Sequence, residues 1–115
     1  MDFTRKKVTT IVDELTTFFF SVGSDDMVVK IKKKEDGFHI FFASSFDTKL
    51  RKAVEHLEEN LTKGRAPEIE ESYWGLTGSG DFRDESELIL VGAMIDSAQV
   101  EICEGYATLN LFRAF

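Results

Sequence analysis

The sequence predicts an α+β fold: a two-layer sandwich in which a mostly antiparallel sheet carries helices on one face. Two observations lead there. Two pairs of stretches, Met27–Lys34 with Phe38–Ala43 and Ala98–Ile102 with Leu109–Leu111, alternate apolar and polar residues around short turns, as hairpins do. Two other stretches carry apolar residues at the i, i+3, i+4 spacing of amphipathic helices, and a third is apolar on most sides as a buried helix is. At 115 residues there is room for one domain with one core, running from 1 to 115.

Taken in order, the first helix runs from Thr4 to Val22. Val8, Ile11, Val12, Leu15, Phe18, Phe19 and Val22 form its stripe, and Gly23 stands where a C-cap glycine belongs. Phe20 falls off that stripe and is therefore a candidate for an interface. In the first hairpin Met27, Val29 and Ile31 share one side and Lys30 and Lys32 the other. Glu35-Asp36-Gly37 supplies the turn, with the Asp-Gly pair favouring positive φ. Phe46, Leu50, Ala53, Leu57 and Leu61 then mark a second helix, with Asp47 or Ser45 as its N-cap and Gly64 after its end.

Ala66 to Phe82 holds the only proline, three glycines and the acidic stretch Glu68 to Glu71, and reads as a long loop with at most one short strand. Asp84 to Asp96 is a third helix. It is apolar on most sides through Leu88, Ile89, Leu90, Val91, Met94 and Ile95, the pattern of a buried helix. The second hairpin closes the chain, turning at Glu104-Gly105. Leu15, Phe18, Leu57, Leu88, Val91 and Ile95 are the expected core.

Composition narrows the function. Apolar residues make up 43% and charged residues 30%, a globular balance rather than a disordered one. A net charge of −7 argues against nucleic acid as the main partner, because phosphate binding calls for a basic surface. One cysteine, Cys103, rules out an internal disulfide and fits a reducing compartment. The N-terminus reads as no secretory signal, and Phe18-Phe19-Phe20 is far too short to span a membrane. A cytoplasmic protein is the expectation.

Val12-Asp13-Glu14-Leu15-Thr16-Thr17-Phe18 up to Gly23, then Leu88 to Asp96, then Ala98 to Phe112, follow one another in the order α-β-β-α-loop-α-β-β. In that outline the chain resembles the GHKL ATPase domain, the family of histidine kinases, gyrase-type ATPases and serine-kinase anti-sigma factors. The small anti-sigma branch is closest in size. The likeness covers nearly the whole chain and is carried mostly by apolar residues.

It also implies where a nucleotide site would stand. The family's magnesium-carrying Asn falls at Phe18, its adenine-reading Asp near Ser44 or Ser45, and its glycine turn at Glu85 to Glu87. Phe18 has no ligand atom. Glutamates at a helix N-terminus stabilise the helix and repel a triphosphate. The resemblance therefore implies a pseudo-ATPase: a non-catalytic regulatory or protein-binding module with no cofactor and no metal. The rival reading is a working ATP-binding, anti-sigma-factor-like serine kinase with divergent motifs.

The remaining candidates are weighed residue by residue. Glu14 matches the family's general base but reads as an exposed helical carboxylate. Gly75-Leu76-Thr77-Gly78-Ser79-Gly80 lacks the Lys-Ser/Thr pair of a phosphate loop and reads as a lid. His39 and His56 have no partners at metal-ligand spacing. Cys103 reads as a buried packing thiol. Lys30, Lys32, Lys33 and Lys34 make a basic edge that suits an acidic partner or guards a strand against aggregation. Tyr73 and Trp74, with Phe82, are loop aromatics of the kind that anchor interfaces. They and Phe20, with Phe115, are the candidate partner-binding residues, the partner being another protein or a second copy of the chain.

Overall fold

The computed structural model describes residues 4–62 and 91–115. They form helix α1 (Thr4–Ser21), strands β1 (Met27–Lys33) and β2 (Gly37–Ser45), a 3-10 turn (Thr48–Leu50) and helix α2 (Arg51–Leu61). After residues 91–93, which are helical, come β3 (Ser97–Cys103) and β4 (Tyr106–Ala114). The four strands make one antiparallel sheet in the order β1-β2-β4-β3, with the helices on one of its faces. This is the α+β sandwich that the sequence predicts.

The period of two along each strand decides which face is buried. Phe38, Ile40 and Phe42 of β2 and Ala107, Leu109 and Leu111 of β4 point to the helices, with Ile40 opposite Leu111 and Phe42 opposite Leu109. Against them pack Val8, Ile11, Leu15 and Phe19 of α1 and Val54, Leu57 and Leu61 of α2. Leu15, Leu57, Val91 and Ile95 are fully buried as expected, and Phe18 packs against this core at its margin. Phe19 stacks on Phe42 with ring centroids 5.4 Å apart, tying α1 to the middle of the sheet.

α1 ends as its glycine predicts. The Ser24 N–H donates to the Phe19 carbonyl at 2.9 Å and the Gly23 N–H to that of Phe20 at 3.1 Å, with Gly23 at φ +86°. That bond pair is the Schellman closure, which needs a residue tolerant of positive φ. In the hairpin turn, positive φ falls on Gly37 alone, and the Lys34 N–H closes the loop on the Gly37 carbonyl at 2.8 Å.

Three expectations are modified. The stripe from Phe46 does not open a helix at once: Asp47 accepts the Lys49 N–H at 3.0 Å and caps the 3-10 turn, so α2 begins only at Arg51. Leu50 is thereby turned out to solvent, 41% exposed, and Val54 takes the core position. The helix expected to run to Asp96 stops at Ala93. Asp96 instead ties into β4, donating its N–H to the Phe112 carbonyl and accepting the Ala114 N–H on its carboxylate at 2.7 Å. A side chain at Gly92 would run into the backbone of Asn60, so this segment packs backbone to backbone on the end of α2. The loop read from Ala66 to Phe82, and Leu88 in the third helix, lie outside the described residues.

Candidate functional site

Among the described residues nothing covers the sheet face away from the helices, and its chemistry is set by the even positions of β1 and the odd positions of β2, which turn outward. Lys30 and Lys32 of β1 stand opposite Phe41 and His39 of β2, and Asn110 of β4 stands on the far side of Phe41. With Lys34 beyond the strand end, these residues line a shallow groove of about 180 Å³. His39 shares a hydrogen bond with the Asp36 carboxylate at 3.1 Å, and its ring lies 4.8 Å from that of Phe112. The bond from His39, helped by nearby positive charge, holds the Asp36 carboxyl below its ordinary range. Lys33 leaves this row. The twofold period puts it on the other face, where its ammonium sits 5.8 Å from the centre of the Phe115 ring.

Among the described residues β1 is an edge strand, and this changes the meaning of its apolar residues. Val29 and Ile31 do point to the helix side, as their spacing predicts, but no described element covers them and they remain 38% and 45% exposed. Val28, on the open face, is 51% exposed. One strand thus presents Val29 and Ile31, with Lys33 beyond them, on one face and Lys30 and Lys32, with Val28 before them, on the other.

The end of the sheet near α1 holds a polar knot. The Ser24 and Ser44 hydroxyls are 2.7 Å apart, and Ser45 donates to the Asp25 carboxylate at 2.8 Å. Ser45 Oγ also accepts the N–H groups of Asp25 and Asp26 at 3.0 and 3.1 Å. Tyr106 donates its hydroxyl to Asp26 at 2.6 Å, and that carboxylate acceptor pushes the phenol's pKa up. These bonds tie the link between α1 and β1 to β2 and β4.

The candidate residues fall in different places. Phe20 is 64% exposed, as its position off the stripe predicts, and Phe115 is 56% exposed. They do not form one patch. Phe20 lies four residues before Ser24, whose hydroxyl meets Ser44 in the knot, whereas Phe115 packs edge-on against Phe38 at the other end of β2, about 20 Å of strand away. Tyr73, Trp74 and Phe82 lie outside the described residues, as do Glu85 to Glu87. Cys103 is not the buried thiol expected: the register of β3 with β4 turns it outward, and it is an exposed free cysteine. His56 of α2 faces Glu59 at 3.6 Å. Among the described residues no three His, Cys, Asp or Glu side chains are grouped to hold a metal, and no helix is long and apolar enough to cross a membrane.

Sequence reasoning found the lysines but missed the groove, because His39, Phe41 and Asn110 join them only through strand pairing. The four lysines within Lys30–Lys34 were the available signal of an edge. Compared with models of protein families, with curated proteins and with solved structures, the chain matches none.

Proposed function

We propose that this chain is a non-catalytic regulatory module that acts by binding another protein, and that it resembles a GHKL ATPase domain without a working nucleotide site. The observation that carries this is how the positions matching that site are spent. Phe18 stands where the resemblance puts the metal ligand, and its ring packs edge-on against Phe19 at 5.1 Å on the margin of the core. Ser44 and Ser45 stand where it puts the adenine reader, and both hydroxyls are engaged in the knot with Ser24 and Asp25. Side chains committed to internal structure are not available to a ligand. A protein partner, with a second copy of the chain as the alternative, fits the uncovered aliphatic and aromatic residues better than nucleic acid fits a net charge of −7. We place the protein in the cytoplasm on the same reading.

The test is thermal unfolding with and without millimolar Mg-ATP. A ligand that binds only the native state must raise its stability. The expected result is an unchanged midpoint. A rise of several degrees would favour the rival, an ATP-binding kinase of the anti-sigma type.

A further inference from the structure

We propose that the open edge of β1 receives an extended acidic segment of a partner protein, one alternating carboxylate and aliphatic residues, as an added strand of the sheet. This rests on the protein-binding reading above and specifies its site and its partner.

The edge has the backbone for it. Among the described residues β1 is outermost and its only strand partner is β2. A strand paired on one side leaves the N–H and C=O groups of alternate residues pointing outward, ready to bond another chain. Strand addition uses such an edge for affinity and takes its specificity from alternate side chains.

The side chains then select the occupant. In an added strand, residues facing β1 sit about 4.5–5.5 Å from their opposite numbers, close enough to pair. On the open face those numbers are Lys30 and Lys32, with Lys34 just beyond, along the groove that Phe41, His39 and Asn110 complete. On the other face they are the exposed Val29 and Ile31, with Lys33 after them turned to the Phe115 ring. Carboxylates complement the first row and aliphatic side chains the second, so an alternating acidic strand matches both at once. A second copy paired antiparallel through its own β1 would set lysines against lysines, which like charge opposes. A polyanion without side chains would leave Val29 and Ile31 uncovered.

The experiment titrates the full chain into a fluorescein-labelled peptide of about nine residues alternating glutamate with valine and threonine, read by anisotropy. Two controls accompany it: the same composition with the glutamates in one block, and the alternating peptide with lysine for glutamate. The variants are Lys30→Glu with Lys32→Glu, and Val29→Thr with Ile31→Thr, all at exposed positions and none expected to disturb folding. The alternating acidic peptide should bind at least about tenfold tighter than the block peptide, and more weakly as salt rises. Charge reversal should cost it about tenfold or more and confer binding of the lysine peptide. The threonine variant should weaken binding while its salt dependence persists.

Equal binding of the block peptide, or an affinity indifferent to charge reversal, overturns the proposal. So does self-association in sedimentation that the reversal abolishes, for then the occupant is a second copy. No binding by any peptide, with the melting temperature unmoved by Mg-ATP, removes the β1 site alone. A shift with Mg-ATP counts against the protein-binding reading itself.

Discussion

Phe42→Ala is expected to cost about 3–5 kcal/mol, the range for emptying a buried aromatic site. Phe42 is fully buried on the inner face of β2, between Val29 of β1 and Leu109 of β4. Its ring stacks on Phe19, so truncation removes the contact that joins α1 to the centre of the sheet as well as its own buried surface. Neighbours held by regular strand pairing relax little, and the cavity stays open. Since a domain's whole stability is about 5–15 kcal/mol, the variant should be largely or wholly destabilised. Urea unfolding measures it, with Phe20→Ala as the control: Phe20 is mostly exposed, and its removal should change stability by no more than about 0.5 kcal/mol. Equal effects of the two substitutions would mean that the stacked pair is not the keystone of the core.

Gly37→Ala should be nearly as damaging, although it adds a single methyl group. A side chain there would strike the carbonyl oxygen of Arg113 and come within 2.8 Å of the Ala114 Cα, both backbone atoms that no rotamer can move aside. Gly37 also holds φ at +154°, where residues with a Cβ are strained. Strain of about 1–3 kcal/mol and overpacking of similar size give a loss of at least about 2 kcal/mol. Relief requires the Gly37–Ala114 rung to open, which frees the end of the sheet where Phe38 meets Phe115. Hydrogen exchange should therefore show faster amides at Phe38 and Ala114 than at Phe42 and Leu109. Unchanged stability, or loosening spread evenly over the sheet, would contradict this account.

Both hairpins were legible because their evidence is local. Alternation around Glu35-Asp36-Gly37 needs no knowledge of the rest of the chain, and neither does the stripe of α1. Alternation reports which side a residue faces, not whether anything lies over it. Val29 and Ile31 face the core side and stay exposed, because exposure depends on strand order, and Ile40 or Leu111 would have paired as well with many apolar neighbours. Leu50 misled for a related reason: its spacing suits a helix that Asp47 delays. Cys103 misled because the parity of β3 follows from its register with β4. At the candidate site the lysines could be read in advance. Their companions His39, Phe41 and Asn110 come from two other strands and carry no signal until those strands are side by side.

The strand order also governs how the chain finds its fold. Each hairpin joins near neighbours in sequence, but the seam between β2 and β4 pairs Gly37 with Ala114 and Ser45 with Tyr106, residues from opposite halves of the chain. Isolated hairpins form in about 1–10 μs, whereas a seam of such high contact order must first meet the entropy of closing a long loop. Neither hairpin is expected to be stable alone, since two strands bury too little. The slow step of refolding is therefore the meeting of two halves, visible as a single stopped-flow phase in which both hairpins gain protection together. Half the chain would possess half of the core's surface and none of its interior.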